Sequence, residues 1–332
     1  MNIDAHKIEG ALRRYYGTKL RGSEDIRISE VNQMVLGISH KMYSFHLEYV
    51  ERTKRRSENL ILRMGNDEEA LSKEYRALEK LHSTSVPVPK VYDMGKDMLG
   101  SFFIIMEKVE GQTMGEEGVL AGMTESEQVE VWQQFAKILE DIHMLDWERA
   151  GFGFLNPPIG EYGFIDQALS PAREGEGPEF LESHGLTPVL DWLNEHKPPS
   201  DYYVLLHGDY HPNNVLVQNG DIVAVVDWEG VSIGDAAHDV AQLPLFLKTV
   251  NITNQLLCNM MDTFLEHYQS RTESELRNLD YYQILKATQF LVHFLLRTDI
   301  DKEWRSIVLE TCAKHIEEMT HLKLPSSLIR NQ

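Results

Sequence analysis

Cysteine is scarce: the 332-residue chain has two, Cys258 and Cys312, both in segments that read as helices. Two thiols without metal-ligand spacing build neither a disulfide framework nor a zinc site, and they fit a reducing, cytoplasmic setting. Also lacking is any apolar run approaching the roughly 20 residues of a membrane span, so no membrane partner is expected. The opening MNIDAHKIEGALRRYYG reads as an amphipathic helix without the apolar stretch of a secretory signal. Basic charge is in deficit, with 32 Lys and Arg against 52 Asp and Glu. The deficit is uneven. Met1–Lys108 holds 18 basic and 16 acidic residues, whereas Val109–Gln332 holds 14 and 36, a net of −22. The asymmetry argues against nucleic acid as a partner, since its binders need a basic face. A cationic small ligand suits the second part, and so does a merely solubilising acidic surface.

What is present is an ordinary folded composition, 42% apolar and 25% charged, long enough for two lobes. Residues 1–108 read as a small five-stranded sheet with a helix. Ile28–Met34, Met42–Tyr49 and Asn59–Met64 carry the alternation or β-formers of strands, and Ser101–Met106 is a continuous apolar strand. Lys54-Arg55-Arg56 is expected at a solvated hairpin tip. Asp67–His82 is expected as a helix, since Leu71, Tyr75, Leu78 and Leu81 share one face. Val86-Pro-Val-Pro-Lys forces an extended segment. Glu107–Gly111 is the expected hinge. Residues 109–332 read as mainly helical, from the capping box Thr124-Glu-Ser-Glu127 to amphipathic stretches at 251–270, 281–297 and 302–320. Asn156–Ser200, rich in Gly, Pro and Glu, reads as a surface excursion with a short helix near Pro188–His196.

The chemistry lies in Val204–Glu229. A short apolar strand delivers His207-Gly208-Asp209 to a loop, and a hairpin about Asn219-Gly220 returns Asp227 toward it. Asp209, Asn214 and Asp227 are thereby expected at one sheet edge. Magnesium wants hard oxygen ligands, which Asn214, Asp227 and nucleotide phosphates supply. Phosphoryl transfer has a loose transition state, so Asp209 need only orient the acceptor hydroxyl and take its proton. The spacing matches H-x-D-x-x-x-x-N followed by the metal-binding Asp of D-F-G.

On His207-Gly-Asp-Tyr-His-Pro-Asn-Asn214, Asp227-Trp-Glu229 and Gly234-Asp235-Ala-Ala-His-Asp239, the chain resembles the aminoglycoside phosphotransferases and their choline, homoserine, fructosamine and macrolide kinase relatives. The resemblance implies an α+β, bilobal protein-kinase-like fold: a small β-sheet N-terminal lobe and a mainly helical C-terminal lobe. It implies Asp209 as catalytic base, Asn214 and Asp227 as magnesium ligands, and ATP or GTP as donor. Asp235 and Asp239 resemble the family's structural carboxylates. Arg63 would touch nucleotide phosphates with Glu74 as its ion-pair partner. Ser39 and His40 would lie against the nucleotide, with Glu107 and Val109 holding the purine by their backbones and Met106 behind it. No glycine-rich loop and no activation segment are present, which points away from protein substrates.

The acceptor is expected to be a cationic, aminoglycoside-like alcohol, with Glu229, Glu266, Asp299, Asp301 and Glu303 as candidate binding carboxylates. A metabolite alcohol of choline, homoserine or sugar type is the alternative. Two other classes stay open: a metal-dependent phosphohydrolase using His207, Asp209, His211 or His238-Asp239, and a nucleotide-binding pseudokinase module. His143, on a capped amphipathic helix, reads as a satisfied core histidine.

Overall fold

Alternation of apolar and polar side chains drives the first third of the chain into a sheet. The computed structural model describes residues 4–34, 41–116, 118–174, 177–200, 202–249, 255–271, 276–297, 300–326 and 328. It divides into two units: Met1–Gln112 with Val215–Gln218 and Ile222–Glu229, and the remainder. The first therefore runs past Lys108 and takes in two later pieces of chain.

In the first unit, α1 (Ala5–Lys19) precedes β1 (Glu24–Met34), β2 (Lys41–Glu51) and β3 (Lys54–Gly65). Then come α2 (Glu68–Leu81), β4 (Val91–Met98), β5 (Ser101–Glu107) and the short β6 (Gln112–Thr113). The five-stranded sheet has the order β1-β2-β3-β5-β4, each neighbour pair antiparallel. Tyr43, Phe45, Leu47, Leu60 and Leu62 alternate onto one face, where Ile8, Leu12 and Tyr16 of α1 complete the core. Asp67 caps α2, its carboxylate accepting from Ala70 N–H at 3.0 Å, and Leu71, Ala77, Leu78 and Leu81 are the helix's buried apolar face.

The expected hairpin tip is displaced. Arg52 and Thr53, with φ of 46° and 72°, make the turn, and Lys54, Arg55 and Arg56 pair with Glu51, Val50 and Tyr49 as the exposed start of β3. Ladder hydrogen bonds carry a strand into solvent without apolar alternation, so the strand outruns its sequence signal. Strand β4 was hidden by Asp93, Gly95 and Asp97. Gly95 is required there: a Cβ would stand 2.5 Å from the Phe103 ring on β5.

The second unit is helical. It contains α3 (Glu125–His143), α4 (Gly163–Glu174), α5 (Gly177–Ser183), α6 (Thr187–Glu195) and the short β7 (Val204–Leu206). The hairpin β8 (Val215–Gln218) and β9 (Asp221–Val225) follows, turning at Asn219 and Gly220 with φ of 54° and 86°. Positive φ at both positions is what a primed turn demands. Its strands lie with the first unit, and Val225 N–H donates to Pro87 O at 2.8 Å. The chain continues through β10 (Ser232–Gly234), α7 (Ala237–Val240), α8 (Gln242–Thr249), α9 (Gln255–Arg271), α10 (Leu279–Leu296) and α11 (Lys302–Thr320). Strand β10 pairs antiparallel with β7, Ser232 opposite Leu206. Thr124 and Glu127 form the expected capping box on α3. No helix among the described residues is long and apolar enough to cross a membrane.

Asn156–Ser200 is not a surface excursion. Phe164, Ile165, Leu169, Leu181, Leu186, Val189, Leu190 and Leu193 are buried in one core with residues of α10 and α11. Proline misled the reading because Pro188 sits in the first turn of α6, where its missing N–H has no partner to lose. Phe164→Ala should therefore lower stability by about 3–5 kcal/mol, measured by urea unfolding. A change within about 0.5 kcal/mol, as expected of a surface position, would count against this packing.

Candidate active site

The loop after β7 is held by its backbone. His207 N–H and Gly208 N–H donate to Asp239 Oδ2 and Oδ1 at 2.7 and 2.8 Å. Asp239, on α7, also meets His143 Nε2 at 3.3 Å, and His143 Nδ1 lies 2.6 Å from the Tyr268 hydroxyl. His143 is thus the satisfied core histidine expected. Gly208 has φ of 87°, and a Cβ there would stand 2.2 Å from Gly230 O, so both conformation and space demand glycine. Lys286 Nζ, from α10, donates to Gly208 O at 2.6 Å. On the far side of Asp209, the buried Tyr210 donates its hydroxyl to Phe135 O on α3 at 2.8 Å. The two residues flanking Asp209 are fixed to different helices, so the direction of its Cα–Cβ bond is set.

The Asp209 side chain meets three groups. Gln242 Nε2 donates to Oδ1, Asn214 Nδ2 donates to Oδ2 at 2.9 Å, and His211 Nε2 lies 3.3 Å from Oδ2. His211 Nδ1 accepts from Asn213 N–H at 3.2 Å, which puts the ring proton on Nε2, toward the carboxylate. Burial alone would raise the Asp209 pKa. His211, Lys286 and Gln242 outweigh it and hold the carboxyl well below the usual range. With 38% of its side chain still exposed, Asp209 is a fixed, ionised carboxylate open to solvent. Asn214 donates both to Asp209 O and to Asp209 Oδ2, each at 2.9 Å, so its Oδ1 faces away from the carboxylate.

The first unit carries a second cluster. Arg63 on β3 is 4% exposed, with Nε 2.9 Å from Glu74 on α2. Its Nη1 and Nη2 lie 3.0 Å from Asp227 Oδ1 and Glu229 Oε2. Burial disfavours the cation, yet three carboxylates raise the Arg63 pKa. Asp227 has φ of 66°, a left-handed conformation costly for a non-glycine residue and frequent at functional sites. Trp228, fully buried, donates to Val225 O at 3.0 Å and pins the turn behind it. Met106 is buried at the end of β5, Glu107 N–H donates to Lys90 O at 2.8 Å, and Val109 lies just past the strand.

The remaining expected residues scatter. Glu229 pairs with Arg63. Asp301 is the N-cap of α11, accepting from Trp304 N–H at 2.8 Å. Glu303 is exposed one residue into that helix, and Glu266 is exposed on α9. Ser39, His40 and Asp299 lie outside the described residues. Asp235 accepts from Ala237 N–H and Ser200 Oγ, each at 2.9 Å, and with Asp239 it serves the backbone as structural carboxylates do. The sequence reading gave no role to Gln242 and Lys286. Lys286 could have been noticed as the only Lys or Arg in the apolar run Leu279–Leu296.

The model of the phosphotransferase enzyme family matches residues 44–279. This chain belongs to that family. Hygromycin-B 4-O-kinase of Escherichia coli is 25% identical to this phosphotransferase-family chain over 228 residues, 65% of the chain and 62% of that protein. Acyl-CoA dehydrogenase family member 10 of Mus musculus is 26% identical over 176 residues, or 52% of the chain. The chain spans 16% of that protein's length, and 23% of acyl-CoA dehydrogenase family member 11 of Rattus norvegicus. Among solved structures, a thermostable mutant of aminoglycoside phosphotransferase APH(4)-Ia, in ternary complex with ADP and hygromycin B, shares the fold. Its TM-score is 0.63 at 20% identity, covering 94% of this chain and 98% of that one. The α+β, protein-kinase-like architecture expected from the sequence is the architecture of these neighbours.

The Asp239 brace has an acid signature. Burial alone would raise its pKa, but the His143 contact, with Lys286 and His207 nearby, holds the carboxyl far below its ordinary value. A depressed folded-state pKa stabilises the fold above the unfolded value, about 3.9, and that contribution fades as pH falls below it. Asp239→Asn should cost on the order of 3 kcal/mol at pH 7. In urea titrations the gap between variant and wild type should narrow below pH 4. A gap that stays constant with pH would show that the charge of Asp239 is not what holds the loop.

Proposed function

We propose that this protein is a small-molecule kinase that transfers the γ-phosphoryl group of ATP to a hydroxyl of a cationic, aminoglycoside-like acceptor. The observation that carries the proposal is Asp209, kept ionised and aimed by Gln242, Asn214 and His211 in a glycine-tethered loop. So acidic a carboxylate is a weak base. It suits a reaction whose transition state asks for alignment of the hydroxyl more than for early deprotonation. The acceptor oxygen bonds to phosphorus as the bond to the bridging oxygen of ADP breaks, and the hydroxyl proton passes to the Asp209 carboxylate and on to solvent.

Magnesium fits the donor chemistry. Asn214 commits its amide hydrogens to Asp209 and so presents Oδ1, while Asp227 meets Arg63 through Oδ1 and keeps Oδ2. An amide and a carboxylate oxygen, with phosphate oxygens, are what a hard divalent cation takes. When bound, the ion neutralises charge on the phosphates. Arg63 does not take the expected phosphate contact: its three nitrogens are committed to Glu74, Asp227 and Glu229, so its part is to hold Asp227 in place. Met106, Glu107 and Val109, at and just past the end of β5, would take the purine, with Glu107 N–H already committed to Lys90 O. The aminoglycoside lean draws on the hygromycin-B kinase likeness and on the acidic second part of the chain.

Turnover of ATP is to be measured against hygromycin B and other aminoglycosides, with choline, homoserine and sugar amines in parallel. Aminoglycosides should be phosphorylated, EDTA should stop the reaction, and Asp209→Ala should lower kcat by about 10²–10⁴. Full activity in that variant would sink the mechanism. Turnover confined to a metabolite alcohol would replace the acceptor class, and cleavage of phosphate monoesters without nucleotide would favour a hydrolase.

A further inference from the structure

We propose that Lys286 and Gln242 form a positioning relay for Asp209, in which Lys286 fixes the orientation of the Gln242 amide and the amide fixes the carboxylate. The inference rests on the reading of Asp209 as the carboxylate that faces the acceptor.

Lys286 lies in α10 amid Tyr282, Ile284, Leu285, Ala287 and Leu291, and is itself 3% exposed. Its Nζ donates to Gly208 O at 2.6 Å and to Gln242 Oε1 at 2.9 Å. Gln242, the first residue of α8 and 1% exposed, turns its Nε2 to Asp209 Oδ1. A glutamine amide has an oxygen face and a nitrogen face of nearly equal shape, and nothing in packing tells them apart. Lysine does. It has donors and no acceptor, so only Oε1 can face it, and Nε2 is left to face Asp209. With the amide reversed, two oxygens would confront each other at the carboxylate and two N–H-bearing nitrogens at Lys286. Lys286 thereby aims a donor at one oxygen of Asp209 while gripping the carbonyl of the residue before it.

Burying an ammonium is costly, and a methionine would fill the same space without that cost. A tie between α10 and the loop could be made by apolar packing alone. What apolar packing cannot do is choose the face of an amide. Burial disfavours the Lys286 cation, and the nearby carboxylates of Asp239 and Asp209 offset part of that cost.

The test uses the full chain with ATP and whichever acceptor is turned over, in wild type, Lys286→Met, Gln242→Leu, Gln242→Glu and the Lys286→Met/Gln242→Leu double variant. Each single variant should lower kcat at least tenfold with KM for ATP unchanged. The double variant should be no worse than the poorer single one, because both act on one link. Gln242→Glu keeps an acceptor for Lys286 but sets an oxygen against Asp209, so it should lose kcat while keeping its melting temperature. It carries the test if Lys286→Met fails to fold. The Gln242 side-chain amide signal, identified by its loss in Gln242→Leu, should exchange with solvent slowly in wild type and at least tenfold faster in Lys286→Met. Unchanged amide exchange, or a lowered melting temperature with wild-type kcat, would overturn the relay. Full turnover in Asp209→Ala would instead remove the reading on which it rests, and amide exchange would still decide whether Lys286 orients Gln242.

Discussion

Asp239 accepts hydrogen bonds from two successive backbone N–H groups, those of His207 and Gly208, and the geometry of the loop that carries Asp209 follows from that contact. Unpaired, those amides would be buried donors, each costing about 1–3 kcal/mol. Paired, they fix the plane of the peptide that carries Asp209. The carboxylate needs its own counterpart, which His143 provides, held in turn by Tyr268. Each member of this chain of contacts is buried, and each is satisfied by the next. A buried polar network of this kind rigidifies only when it is complete. Here it runs from α9 through α3 and α7 to the loop, so three helices decide where one side chain points.

The first unit shows the same logic with opposite charge. A buried guanidinium on β3 gathers Glu74, Asp227 and Glu229, which come from α2 and from the end of the β8–β9 hairpin. No single carboxylate would repay the desolvation of Arg63. Three of them do, and they raise its pKa against the effect of burial. The planar fork of Arg presents its donors in fixed directions, one toward each carboxylate, which the freely rotating ammonium of Lys does not. Asp227 is thereby held in its left-handed conformation by an ion pair ahead of it and by the buried Trp228 behind it.

Much of this was legible beforehand, for a physical reason. Asp209, Asn214 and Asp227 sit in one stretch of chain whose turn residues, Gly208 and Asn219-Gly220, announce their conformations by their identities. Local constraints of that sort can be read from a single sequence. The strand β4 was not legible, because its pairing with β5 offsets Asp93, Gly95 and Asp97. Nor was the packing of residues 163–195, where Gly163, Gly177 and Pro188 stand at helix starts instead of in a loop. Gln242 and Lys286 escaped for another cause. They lie 33 and 77 residues from Asp209 in sequence, and only the fold brings them to it.

The acidic character of the second part of the chain divides along the same line. Several of its carboxylates have internal work: Asp235 and Asp239 hold backbone amides, and Asp301 caps α11. Such groups are matched by protein donors and add little that is specific to an acceptor. The excess that remains is on exposed positions such as Glu266 and Glu303, far apart in sequence and on different helices. Charges so arranged act through their summed field, which draws cations from solution and fades with salt over about 10 Å. A field of that kind raises the rate of encounter for any cationic alcohol. Choice among them must come from a few short contacts, and on the proposed reading these lie beside Asp209, whose carboxylate is already held by Gln242, Asn214 and His211.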